Sequence, residues 1–215
     1  MRSRFDPRVY LVTDPRLPEP QLLARVQAAV RSGVTLVQLR NKGGDTASTA
    51  GLGTVLRDLL DPEGVPLIVN DDVEAARRCG AAGVHLGQSD MPAAEARRAL
   101  GEEAVIGLSL ERPDHIGTVN PAVVDYVAAS PVFATTTKHD IAPPLGTEGV
   151  KAIRAALALP LVGIGGITIE NAAAVIGAGA DGVAVVSAIL GAADPACAAS
   201  TLRASVDDAL RRRSA

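Results

Sequence analysis

The chain has no tryptophan, two phenylalanines, two tyrosines and two cysteines in 215 residues. At 2% aromatic it offers few flat side chains for bases or sugars to stack on, which argues against a stacking surface for carbohydrate or nucleic acid. A formal net charge of −3 and a pI near 5.6 supply no basic footprint for nucleic acid or an anionic membrane. Cys79 and Cys197 have neither metal-like spacing nor a partner motif, so they read as small core hydrophobes of a reduced compartment. Long apolar runs are missing too. Met1 to Pro7 is charged, and Val9–Val12 is far too short for a signal peptide or a membrane span. A cytoplasmic protein is the expectation. Lysine is scarce: among 21 cationic residues only Lys42, Lys138 and Lys151 are lysines, so each is a candidate for a task that needs a compact point charge.

What is present is a chain 47% apolar, written as short β-branched runs alternating with amphipathic stretches. The runs Val9–Val12, Leu36–Leu39, Pro66–Val69, Val84–Leu86, Val105–Leu108, Tyr126–Ala129, Leu161–Gly163 and Gly182–Val186 are nearly continuous in apolar residues, as strands covered on both faces must be. Leu22, Leu23, Val26, Ala29 and Val30 mark one face of a helix. Asp194-Pro195 reads as an N-cap with proline at the first helical position, opening a last helix towards Arg211. Gly33, Gly80 and Gly179 recur just after helical stretches and just before strands, the signature of repeated αβ turns. No linker divides the chain. Eight βα units in one domain, residues 1–215, predict an α/β (β/α)8 TIM barrel. A doubly wound open sheet would want a glycine-rich turn after its first strand, where this chain has Thr13-Asp14-Pro15-Arg16.

In such barrels the active site forms at the C-terminal strand ends, so the residues there carry the functional argument. Alternation puts Gln38, Arg40 and Lys42 on one face after the second strand, an amide beside two cations, suited to an anionic substrate with a polar ring. Asn70-Asp71-Asp72 and Gly87-Gln88-Ser89-Asp90 end the next two strands. Their carboxylates fit Mg²⁺, which takes one or two carboxylates together with waters and phosphate oxygens. Asp72 and Asp90 are equally well placed as helix N-caps, with Pro92 just beyond, whereas Asp71 is not. Ser109 ends the fifth strand without the spacing of a hydrolase nucleophile. His85 reads as a satisfied barrel residue, and His115 and His139 stand apart from it. Thr135, Thr136, Thr137 and Lys138 form a hydroxyl-rich loop resembling a phosphate clamp. Gly163-Ile164-Gly165-Gly166 and Val186-Ser187 follow the seventh and eighth strands, where backbone N–H groups commonly hold a phosphate. One phosphate on that side and a Mg-plus-cation pocket on the other suggest a transfer in which pyrophosphate leaves.

These strand-end residues, in this order, resemble the thiamine phosphate synthase family. The matching segments are YLVTD (10–14), QLRNK (38–42), LIVNDD (67–72), GVHLGQSD (83–90), IGLS (106–109), ATTTK (134–138), VGIGGIT (162–168) and ADGVAVVSAI (180–189). The resemblance implies condensation of a hydroxymethylpyrimidine diphosphate with a thiazole phosphate, by a dissociative mechanism that needs no protein nucleophile. It places Gln38, Arg40, Lys42 and Asn70, with Leu39 and Asn41 of the same run, at the pyrimidine diphosphate, and Asp71 and Asp90 on Mg²⁺. It places Ser109 and Lys138 on the diphosphate, and these with Arg40 are the expected catalytic residues. Thr135, Thr136, Thr137, Gly166, Val186 and Ser187 fall to the thiazole phosphate side. Ser130 and Ala134 stand where the family usually has glycine and proline, and Leu110 and Glu111 follow Ser109 where a histidine commonly follows shortly. Two alternatives share the barrel. A thiazole tautomerase branch generally lacks parts of the diphosphate and metal set, which is complete here. A non-catalytic phosphate-sensing barrel has no need of paired Asp71 and Asp90. The expected partners are small molecules, without nucleic acid or membrane, and self-association into a homo-oligomer stays open.

Overall fold

The computed structural model describes residues 5–135 and 142–214. Eight parallel strands close into a barrel in which each pairs with its neighbours in sequence and the last pairs with the first. They are β1 (Val9–Val12), β2 (Leu36–Leu39), β3 (Leu67–Asn70), β4 (Gly83–Leu86), β5 (Val105–Leu110), β6 (Tyr126–Ala129), β7 (Leu161–Ile164) and β8 (Gly182–Val185). This is the (β/α)8 barrel that the strand count predicts. Both faces of each strand are covered, which is why the runs are almost wholly apolar. Leu11, Val37, Val69, Val84, Ile106 and Val127 point outward into the layer beneath the helices. Val12, Leu36, Ile68, Val105, Val162 and Ala184 point inward.

The inward layer also holds both tyrosines of the chain. Tyr10 and Tyr126 are 1% and 0% exposed, and their rings meet edge to face at 6.1 Å. Phe5 closes the N-terminal end of the barrel against Tyr126, with centroids 5.2 Å apart. Room for Tyr126 comes from its register partner on β5, Gly107, where a Cβ would lie 2.1 Å from Cζ of the phenol.

The helices are α1 (Glu19–Val30), α2 (Thr46–Leu60), α3 (Val73–Cys79), α4 (Ala93–Leu100), α5 (Gly146–Ala156), α6 (Ile169–Gly177), α7 (Ser187–Leu190) and α8 (Pro195–Ser214). The stripe Leu22, Val26, Ala29 and Val30 is the buried face of α1. Asp194 caps α8, its Oδ1 accepting from Ala196 N and Cys197 N at 3.0 Å. Cys79 is buried as expected, but Cys197, exposed in this first turn, is not a core residue. Gly80 ends α3 in the left-handed conformation at φ 66°. One unit departs from the pattern. Between β5 and β6 there is a 3-10 segment, Pro113–Thr118, and no α-helix. Pro113, Gly117, Asn120 and Pro121 in this short stretch each oppose an α-helix, and together they prevent one. Among the described residues no helix is long and apolar enough to cross a membrane.

The N-terminal end of the barrel is fastened twice by one device. Arg97 of α4 donates to the carbonyls of Gly101, Glu102, Ala104 and Val123, and meets Asp125 at 2.6 Å. The same Asp125 Oδ2 accepts from Ile106 N on β5. Two strands further on, Arg154 of α5 donates to Gly179, Leu157 and Leu159 carbonyls and meets Asp181 at 2.7 Å, while Asp181 Oδ2 accepts from Leu161 N on β7. Breaking the Arg97 pair leaves a carboxylate without its cation and several carbonyls without their donor, whereas Asp181 keeps an ion pair with Arg213 at 2.9 Å. Arg97→Ala is expected to cost about 3 kcal/mol in urea unfolding. Arg154→Ala should cost less, since its side chain is 29% exposed against 8% for Arg97. A loss below about 1 kcal/mol for Arg97→Ala would contradict this account.

Candidate active site

The C-terminal strand ends surround a cavity of about 820 Å³, within the usual range for small-molecule sites. Strand alternation decides what β2 contributes. Gln38, Arg40 and Lys42 line the cavity. Leu39 turns outward into the layer under the helices, and Asn41 donates from Nδ2 to Thr49 Oγ1 on α2 at 3.1 Å, so neither side chain reaches it. Thr13 holds the Arg40 main chain from both sides: Arg40 N donates to Thr13 Oγ1 at 2.8 Å, and that hydroxyl donates to Arg40 O at 3.3 Å.

Asn70 and Asp71 follow on the cavity wall. Asp72 caps α3, its carboxylate accepting from Ala75 N at 2.8 Å. Asp71 is held differently. It is the one non-glycine residue in the left-handed region among the described residues, at φ 64°, with its N–H donating to His85 O. That conformation is strained for an L-residue, and here it turns the carboxyl group towards Asp90. Although Asp71 opens to the cavity mouth, the walls remove enough water to push its pKa up to about 6. The Asp90 carboxylate beside it adds to the rise, while Lys42 and Arg40 oppose it. The sequence left Asp90 open as an N-cap, and the structure corrects this. Pro92 occupies the N-cap position of α4, and Asp90 Oδ2 instead accepts from Gly87 N within its own loop.

The Asp90 carboxylate disfavours the charged form of Asp71, and a cation held between the two would relieve that repulsion. Among the described residues no group of three His, Cys, Asp or Glu could form an all-protein cage. The pair therefore fits a hard ion completed by water and phosphate oxygens, as Mg²⁺ is, better than a zinc-type site.

Ser109 is the next-to-last residue of β5 rather than its end, because the strand continues to Leu110. Its Oγ lies 2.8 Å from His85 Nε2, and His85 Nδ1 lies 2.9 Å from the Tyr126 hydroxyl. The Tyr126 hydroxyl in turn lies 2.9 Å from that of Tyr10, to which Gln38 Nε2 donates at 2.8 Å. His85 is thus satisfied within the barrel and also forms part of the cavity wall. On the opposite side Thr135, Gly166, Val186 and Ser187 line the cavity. Thr136, Thr137 and Lys138 lie outside the described residues. Val186 is the residue before α7 and Ser187 its first residue. Gly166, at φ 62°, allows no side chain, because a Cβ would run into the Ala134 carbonyl. Its glycine is therefore demanded by packing of the β7 loop on the β6 loop as well as by any approach to phosphate.

The sequence did not point to Glu111, Arg112 and His115, which form the wall from the end of β5 into the 3-10 segment. Glu111 N donates to His115 Nδ1, folding this stretch back over the cavity. The helix-breaking prolines nearby were the available signal.

A family model described as thiamine monophosphate synthase matches residues 9–189. A thiamine-phosphate synthase of Albidiferax ferrireducens is 50% identical over 201 residues, covering 93% of this chain and 92% of the relative. One from Azorhizobium caulinodans is 47% identical over 212 residues, covering 98% and 100%. The solved structure of thiamine phosphate pyrophosphorylase from Pyrococcus furiosus superposes with a TM-score of 0.86 at 34% identity, covering 96% of this chain and 98% of that one.

The two neighbouring aspartates should separate cleanly in stability. Asp72→Ala loses a helix cap and should cost about 1 kcal/mol in urea unfolding. Asp71→Gly relieves the left-handed strain and should match the parent or exceed it by up to about 1 kcal/mol. The reverse order would show that Asp71 is a structural residue.

Proposed function

The chain belongs to the thiamine monophosphate synthase family, and from that membership we propose how its cavity divides the work of the reaction. The activity is thiamine-phosphate synthesis, a group transfer between small molecules. In the proposed arrangement a hydroxymethylpyrimidine diphosphate lies over Gln38, Arg40, Lys42 and Asn70. A thiazole phosphate lies against Thr135, Gly166, Val186 and Ser187 on the far side. The observation that carries this division is the meeting of Asp71 and Asp90 on adjacent loops, beside Arg40 and Lys42 and across the barrel from Gly166 and Ser187.

Asp71 and Asp90 would hold Mg²⁺, which when bound neutralises charge on diphosphate oxygens. Arg40 and Lys42 bring fixed positive charge to the same oxygens, and Ser109 a hydroxyl. The C–O bond to the pyrimidine methylene breaks as pyrophosphate departs with the bonding electrons, and the thiazole nitrogen then supplies the electron pair for the new C–N bond. Gln38 orients the pyrimidine ring through its amide. Nothing in this sequence requires a covalent bond to the protein. Lys138, directly after the threonines, is proposed as a further cation for the leaving group, and Thr136 and Thr137 as hydroxyls beside the thiazole phosphate.

The test is pyrophosphate release with both substrates, with and without Mg²⁺. Asp71→Ala and Asp90→Ala are each expected to abolish Mg-dependent turnover in a folded protein. Turnover that survives in both would remove the metal from this position. Ser187→Ala should raise KM for the thiazole phosphate about tenfold, the size of a lost hydrogen bond to a charged group. KM for the pyrimidine substrate should stay within about twofold. Equal losses for both substrates would overturn the division of the cavity.

A further inference from the structure

Tyr10 and Tyr126 lie beneath the cavity and form none of its wall, yet through Gln38, His85 and Ser109 they join two sides of that wall. Each phenol has one proton to give. Burial raises the pKa of both tyrosines, so both remain protonated and each hydroxyl must find an acceptor. Tyr10 Oη already accepts from Gln38 Nε2 at 2.8 Å, and its hydrogen-bonded neighbour besides Gln38 is Tyr126 Oη. The Tyr10 proton therefore goes to Tyr126. Tyr126 Oη, occupied by that proton, has His85 Nδ1 at 2.9 Å for its own. A histidine whose Nδ1 accepts a hydrogen bond carries its proton on Nε2 when neutral. That Nε2–H donates to Ser109 Oγ at 2.8 Å.

We propose that this chain runs one way, from Gln38 through Tyr10, Tyr126 and His85 to Ser109, so that Tyr126 is a positioning residue that turns the Ser109 hydroxyl proton into the cavity. The direction decides the chemistry of Ser109. If the chain ran in reverse, Ser109 would give its proton to His85 and face the cavity as a nucleophile paired with a base. In the assigned direction His85 is a donor to Ser109 and cannot act as its base. The serine is left as a hydroxyl donor towards an anion, a suitable partner for the leaving diphosphate. This rests on the functional division above for the identity of the anion, but the direction of the chain does not.

Two measurements test it. The first is read on the parent sequence: ¹⁵N-labelled full-length protein contains three histidines, and His85→Asn serves only to assign the His85 ring signals. The expected spectrum shows His85 with bare Nδ1 and protonated Nε2. Protonated Nδ1 with bare Nε2, or an even mixture, overturns the proposal whether or not the protein turns over. The second is a double-mutant cycle on pyrophosphate release. Tyr126→Phe keeps the ring that fills the space over Gly107 and should lower kcat about tenfold, with KM for the diphosphate substrate changed less than about threefold. In a Ser109→Ala background the same substitution should cost less than about twofold, because there is no serine left to orient. Equal losses in both backgrounds would mean that Tyr126 serves only the packing of the barrel. No pyrophosphate release from the parent chain would defeat the assigned reaction and leave the tautomer result standing.

Discussion

A closed eight-stranded barrel has an interior that its own side chains must fill, and this chain meets that requirement with few large residues. Most of the inward layer is valine, leucine, isoleucine and alanine. The remaining volume goes to Tyr10, Tyr126 and Phe5, three of the four aromatic residues in the sequence. Phenols bring hydroxyls into a place without water, and an unpaired hydroxyl there costs about 1–3 kcal/mol. Both hydroxyls are satisfied by each other and by groups nearer the strand ends, so the core and the cavity floor share one hydrogen-bond system.

The two ends of the barrel are built for different purposes. At the N-terminal end, charged groups close on carbonyls and strand N–H groups of the same chain, as Arg97 with Asp125 and Arg154 with Asp181 do. Their bonding capacity is spent on tying neighbouring units together. At the C-terminal end Arg40, Lys42, Asp71 and Asp90 face a cavity, and two of them face one another despite like charge. Unfavourable local conformation is also found there, at Asp71. The sheet between is fastened well enough at one end to hold this arrangement at the other.

The strands were legible because burial on both faces leaves little choice of residue, and all eight lie where the apolar runs stand, three with identical bounds and the others with ends shifted by at most two positions. The β5–β6 connection was less legible. A repeat of βα units favours a helix there, and the local opposition of Pro113, Gly117 and Pro121 decided otherwise. Strand alternation correctly put Gln38, Arg40 and Lys42 on one face, and for the same reason the side chains of Leu39 and Asn41 face away from the cavity. Asp90 could not be separated from a helix cap by sequence, since the choice depended on Pro92 taking that position. The chain of hydrogen bonds beneath the cavity was not readable at all. It joins residues 28, 116, 41 and 24 positions apart, and only barrel closure brings them together.

The overlap between Gly107 and Tyr126 has a consequence for how such a floor changes over generations. Any side chain at position 107 would occupy the space of the phenol, so a larger residue there is acceptable only after position 126 has become smaller. Shrinking 126 first opens a void against Phe5 and leaves His85 Nδ1 without its hydroxyl partner. Each single step therefore passes through a worse protein, and the two positions are expected to be inherited as a pair. A lineage that remodels this floor must cross that valley by a double change, or by first accumulating stability elsewhere.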